Sequence, residues 1–154
     1  MDVVSEIQKL AAEFGIDPHK LRIEITETVM MNEADNRMKV LDTFRELGYI
    51  VEMDDFGSGY SSLNMLKDMP VDVLKIDMKF LGKTDSKSKA QTIVKNIIRL
   101  SEDLGISALT EGVETEEQYH ILADMGCKLF QGYYFAKPMP IEDFEKLQNG
   151  QRTE

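Results

Sequence analysis

Acidic residues in this chain gather where apolar runs give way to polar ones. Glu24 and Glu27 lie in or just after LRIEITE (21–27), Asp54 and Asp55 close YIVEMDD (49–55), Asp77 closes VDVLKID (71–77), and Glu111 and Glu114 follow ISALT (106–110). If those runs are parallel strands, their C-terminal ends share one face of the sheet, where ligands and chemistry sit in α/β folds. Carboxylates brought together there repel one another unless cations join them, and all-oxygen donors suit hard divalent ions such as Mg²⁺ or Mn²⁺. The adjacent Asp54 and Asp55 stand where a strand turns into a loop, so both can aim at one site and one can bridge two metals. Two metals about 3.5–4 Å apart suit phosphodiester hydrolysis, one activating water while both stabilise charge on the phosphate.

Lys75 belongs to the same pattern. It sits between Leu74 and Ile76 in an apolar segment, so alternation turns it away from its neighbours and into the interior. A buried ammonium needs a partner, which an acidic site supplies. Singly, each feature has a plainer reading. An Asp-Asp pair commonly makes a turn or cap, Glu114 could serve a helix dipole, Lys75 could close a structural ion pair, and Gly57 and Gly59 could only shape a turn. His19 and His120 lack partners at metal spacing, Cys127 reads as buried and inert, and the ten methionines read as core filling.

The elements that must position these groups follow from periodicity. Apolar residues at helical spacing from Val3 to Phe14 predict an opening helix stopped by Gly15 and Pro18. A strand over 21–27 follows, then a helix from about Asn32 to Leu47 ended by Gly48. A second strand over 49–57 breaks into a glycine-containing loop, followed by a short helix around 62–67 and a stop at Pro70. The third strand is 71–77. Beyond a polar loop (82–89), Ile93, Val94, Ile97, Ile98, Leu100 and Leu104 mark a long helix ending at Gly105. The fourth strand is 106–112. Thr115 and Gln118 have capping-box spacing before a helix through Met125, and CKLFQGYYF (127–135) is the fifth strand. A last helix lies near 142–147. Strand and helix alternate throughout, so the fold class is α/β with a parallel sheet. Five βα units fall short of the eight in a complete barrel, which needs about 200–250 residues, so the chain is either a small open α/β sheet or part of a barrel.

Composition narrows the function. The 154 residues carry 18 Lys and Arg against 28 Asp and Glu, a formal charge of −10, with 42% hydrophobic residues. That suffices for one folded domain, and the acidic balance opposes general binding to a nucleic-acid polymer, which needs clustered cations. No run approaches the roughly 18 apolar residues of a membrane span, the start lacks signal-peptide character, and a single cysteine makes no internal disulfide. The expectation is a cytoplasmic protein without a membrane partner.

Five motifs carry a resemblance. RIEITE (22–27), DDFGSGYSSL (54–63), PVDVLKID (70–77), EGVETEEQ (111–118) and GCKLFQGYYFAKPMP (126–140) occur in the order and spacing of the EAL family of bacterial cyclic di-GMP phosphodiesterases. The resemblance runs from about Gly15 to Phe144 and covers roughly the C-terminal two-thirds of an EAL domain. It implies a modified (β/α)8, TIM-like barrel, here as five βα units with an N-terminal helix forming a single truncated domain over residues 1–154. It also implies metal-dependent hydrolysis of cyclic di-GMP to linear pGpG. Carried over motif by motif, Glu24 resembles a metal ligand, Asp54 the bridging ligand, Asp55 a ligand of the second metal, and Glu111 a second-metal ligand or general base. Lys75 resembles the lysine that steadies water and phosphate, and Gln131 and Glu114 match supporting positions at the barrel mouth. Glu27 resembles the glutamate that shapes the loop containing Gly57, Ser58 and Gly59.

Departures from the family pattern set the alternatives. The Glu-Ala-Leu motif is absent from this sequence, as is the strand whose asparagine helps complete the first metal site. Ser58 and Thr110 stand where threonine and alanine are usual. The resemblance therefore implies a phosphodiesterase with weak or lost activity in this chain; the alternative is a non-catalytic module binding cyclic di-GMP or a protein. The open sheet edge implies a homo-oligomer or a partner chain that covers it.

Overall fold

The computed structural model describes residues 2–26, 29, 34–56, 63–78 and 87–151. Helix α1 (Val3–Glu13) starts at the Asp2 cap, whose carboxylate accepts from the Val4 N–H at 3.2 Å, and buries Val4 and Ala11. Strand β1 (Arg22–Thr26) follows a short 3-10 turn at Pro18–Lys20. Next come α2 (Ala34–Glu46), β2 (Ile50–Asp54), α3 (Leu63–Asp68), β3 (Val73–Asp77) and α4 (Lys87–Asp103). The remaining elements are β4 (Ser107–Glu111), α5 (Glu116–Asp124), β5 (Leu129–Gln131) and α6 (Ile141–Gln151). Among the described residues no helix is long and apolar enough to cross a membrane.

The five strands form one parallel sheet in the order β1-β2-β3-β4-β5. The expected α/β class, parallel sheet and N-terminal helix are thus present. Because pleated side chains alternate, the register sorts the strands into two faces. One carries Ile23, Ile25, Val51, Met53 and Leu74, which pack with Leu41, Phe44 and Leu66 from the helices. It continues through Ile76, Ala108 and Phe130, which pack with Val94, Ile98 and Leu122. Continuous apolar contact with the helix layer makes this the core.

The other face is polar. Glu24 is aligned with Glu52, Glu52 with Val73, Lys75 with Leu109, Asp77 with Glu111, and Glu111 with Gln131. Alternation then places Arg22, Glu24, Glu52, Asp54, Lys75, Asp77, Glu111 and Gln131 on the same side, away from the helices that cover the core.

Several expected elements change length, and the second strand, expected over 49–57, ends at Asp54, where Asp55 turns the chain. The fifth strand, expected over 127–135, is confined to Leu129–Gln131. The chain beyond it folds back: the Tyr134 N–H donates to the Val113 carbonyl at 3.0 Å and the Phe135 N–H to the Gly132 carbonyl at 3.1 Å. Apolarity in Tyr133–Phe135 therefore reports an aromatic turn packed on Tyr119 and Phe130, not more strand. The last helix, expected near 142–147, runs from Ile141 to Gln151. The Asp143 and Phe144 N–H groups both donate to the Pro140 carbonyl, at 3.1 Å each, so the chain winds into its first turn as soon as Pro140 is passed.

Candidate active site

Lys75 is the centre of the polar face. Its side chain is 5% exposed, and its Nζ lies 3.3 Å from Glu24 Oε1, 3.2 Å from Asp54 Oδ1 and 3.2 Å from Glu111 Oε2. The three carboxylates come from β1, β2 and β4, and the lysine from β3 between them. Burial pulls the ammonium down. Hydrogen bonds to Glu111 and Asp54, together with their charges, more than offset this, so Lys75 titrates above the ordinary lysine range. It is a permanent donor at neutral pH, not a base.

Asp55 follows β2 in a left-handed conformation with φ +57°, and its N–H donates to Asp54 Oδ1 at 3.0 Å. Left-handed backbone at a non-glycine residue costs about 1 kcal/mol or more and concentrates at functional sites. Here it turns the chain sharply at the carboxylate pair. Gln131 ends β5 beside Glu111. Glu114 lies in the loop after β4, where Gln118 Oε1 accepts its N–H at 2.7 Å and the Thr115 N–H at 3.0 Å. The expected Thr115–Gln118 capping box is present, and its glutamine anchors the backbone of Glu114 as well.

A cavity of about 250 Å³ is lined by Glu111, Gly112, Glu114, Gln131, Gly132 and Tyr133. It shares Gln131, Gly132 and Tyr133 with a groove of about 420 Å³ that runs on to Lys137 and Phe144. Gly132 is sterically required. A Cβ at this position would strike the backbone of Val113, whose N–H donates to the Gln131 carbonyl at 3.1 Å. The loops after β4 and β5 are thereby stitched together at the mouth. A third cavity, of about 410 Å³, lies at the other end of β4 and β5 and is lined by residues including Glu102 and Lys128, which pair with each other at 2.6 Å. Chemistry in parallel α/β folds belongs to the C-terminal strand ends.

The structure therefore brings Glu24, Asp54, Lys75 and Glu111 into direct contact and places Asp55, Glu114 and Gln131 around them. Glu27, Gly57, Ser58 and Gly59 lie outside the described residues. Among the described residues no group of three or more His, Cys, Asp or Glu is arranged as a ready metal cage; the three carboxylates converge on an ammonium instead. Their chemistry still fits a hard divalent ion, because the donors are all oxygen, Glu24 and Glu111 are partly exposed, and three carboxylates against one ammonium leave the cluster net negative.

Arg22 and Glu52 were not singled out from the sequence. Glu52 is 2% exposed and accepts a hydrogen bond from Arg22 Nη1 on the same face, below the Lys75 layer. The available signal was a charge inside the apolar strand IVEMD at the same parity as Asp54.

A family model for the EAL domain matches residues 1–138. The chain belongs to the EAL domain family. It is 37% identical over 142 residues to the cyclic di-GMP phosphodiesterase RocR of Pseudomonas aeruginosa, covering 92% of this chain and 36% of RocR. Among solved structures, the EAL enzyme Bd1971 in its cAMP and cyclic-di-GMP bound form superposes with a TM-score of 0.88 at 36% identity, over 95% of this chain and 39% of that one. Klebsiella pneumoniae BlrP1 in a manganese/cy-diGMP complex superposes with a TM-score of 0.80 at 37% identity, over 89% and 35%. The chain spans well under half the length of each of these proteins. Its five parallel strands form part of the TIM-like architecture of these EAL structures.

Proposed function

We propose that this EAL domain hydrolyses cyclic di-GMP to linear pGpG with divalent metal ions, Mg²⁺ or Mn²⁺, in the cytoplasm. The observation that carries the reading is the convergence of Glu24, Asp54 and Glu111, from three separate strands, on the buried Lys75. The RocR relative named as a cyclic di-GMP phosphodiesterase and the BlrP1 complex with manganese and the dinucleotide support it.

Glu24, Asp54, Asp55 and Glu111 would hold the ions. Bound there, they supply an activated water and charge stabilisation on the phosphate. Lys75, kept protonated by its partners, donates from Nζ to a phosphate oxygen or to the attacking water. As the alternative to holding an ion, Glu111 would act as the general base toward the attacking water. Gln131 and Glu114 line the cavity that would receive the nucleotide.

A second reading is a module over residues 1–154 that binds cyclic di-GMP or a protein without turnover. The closure of Glu24, Asp54 and Glu111 on the Lys75 ammonium favours it, since the lysine engages the carboxylates that ions would need. In either reading β1 and β5, which each pair on one side only among the described residues, offer a pairing side to a second copy or a partner chain.

The test is incubation with cyclic di-GMP and Mn²⁺ or Mg²⁺, with chromatographic detection of pGpG, for the wild type, Asp54→Asn and Glu111→Gln. Turnover in the wild type that falls at least 100-fold in both variants is expected for two-metal chemistry. Saturable binding without product establishes the cyclic di-GMP module, and neither binding nor product sinks both the enzyme and that module. Sedimentation velocity reports whether the edges are covered by self-association.

A further inference from the structure

We propose that the Arg22–Glu52 ion pair is a positioning element that holds a fourth carboxylate out of the Lys75 cluster and so sets the ion affinity of the site. The inference rests on the metal-site reading above. Glu52 is aligned with Glu24 across β1 and β2 and precedes Asp54 by two residues on the same pleat face, about 7 Å along the strand. It is 2% exposed, so its charge is neither solvated nor remote. Two facing glutamates of like charge on adjacent strands repel. The structure resolves the conflict by direction: Glu24 reaches up to Lys75, and Glu52 reaches down to Arg22 Nη1.

Arg22 is the residue that makes this division possible. It lies on the edge strand, two residues before Glu24 and on the same face, and its side chain is 46% exposed. The guanidinium presents a fixed fork of donors, suited to capturing a carboxylate and fixing its orientation. Among the described strand residues the other cation on this face is Lys75, already shared by three carboxylates. Without Arg22, Glu52 would swing upward, compete for the ammonium, and add a negative charge to the cluster. Removing Glu52 instead leaves the Arg22 cation beneath the site with nothing to neutralise it.

The two single variants therefore act in opposite directions, and because net charge alone gives those signs, the positioning role is read from where Glu52 points once Arg22 is gone. Isothermal titration of the purified protein with MnCl₂ compares wild type, Arg22→Gln, Glu52→Gln and the double variant. The expectation is Mn²⁺ affinity raised several-fold in Arg22→Gln, lowered about tenfold in Glu52→Gln by a buried charge at this range, and restored to within about twofold of wild type in the double variant. Singles that shift affinity in the same direction, or not at all, overturn the proposal. Asp54→Asn is the control for the site itself: if wild type and Asp54→Asn take up Mn²⁺ alike, the metal reading fails. Whatever the titrations give, the clasp itself is decided by the metal-free crystal structure of Arg22→Gln. Glu52 within hydrogen-bond distance of Lys75 Nζ upholds it, and Glu52 still directed at position 22 refutes it.

Discussion

Replacing Lys75 with methionine removes the cation on which Glu24, Asp54 and Glu111 converge while keeping an unbranched side chain in the same space. Removing one partner of a fully buried ion pair costs about 3–5 kcal/mol, because the other charge is left uncompensated. Here the stranded carboxylates are not fully buried: the side chains of Glu24, Glu111 and Asp54 are 53%, 39% and 26% exposed. Water recovers part of the loss, and the estimate falls to about 2 kcal/mol at neutral pH. Urea denaturation followed by circular dichroism measures it as a lower midpoint at unchanged slope. The pH dependence has a definite sign. Lys75 titrates higher in the folded protein than unfolded, so its contribution is fully present below the unfolded value of about 10.4 and is lost as pH rises toward its elevated folded value. The gap between wild type and Lys75→Met is therefore constant from pH 7 to about pH 10 and narrows above it. If the site takes up divalent ions as proposed, millimolar Mn²⁺ narrows it at neutral pH as well, because the variant, freed of the competing ammonium, binds the ion more tightly than wild type and gains more stability from it. Lys75→Met at least as stable as wild type in metal-free buffer would refute the reasoning, since the ammonium would then hold nothing together.

Gly132→Ala puts a Cβ into the Val113 backbone; neither loop can yield without breaking the hydrogen bonds between them, so a loss of about 2 kcal/mol or more is expected in a thermal melt. Thr115→Ala removes the acceptor for the Gln118 N–H at 3.2 Å and is expected to cost about 1 kcal/mol, with raised amide exchange at Gln118 as the local check. Leu74→Ala, at a position with no solvent exposure in the centre of the helix-covered face, is expected to cost about 2–5 kcal/mol by chemical denaturation; a cost under 1 kcal/mol would mean that this face is not the core.

Periodicity and punctuation determined the order of the elements. The alternation of RIEIT and the apolar run VDVLKID gave β1 and β3 to within two residues, and glycines at 48, 105 and 126 marked where α2, α4 and α5 stop. Local signals of this kind survive folding because they arise from backbone preferences and from the need of each element to bury one side. The same logic read Lys75 correctly as an inward residue, because a charge at one parity of an apolar strand has only one face to occupy.

Tertiary structure decided the rest. Tyr133–Phe135 carries strand-like residues, yet hydrogen bonds from Tyr134 to Val113 and from Phe135 to Gly132 curl it into a turn, and those partners are set by the neighbouring loop. That Lys75 meets Glu24, Asp54 and Glu111 while Glu52 turns to Arg22 depends on strand register. Pairing a strand one residue out of step would move its charges into the helix-covered core. A chain written in one dimension declares which side chains share a face; only the sheet, through the alignment of its neighbours, chooses which of them touch.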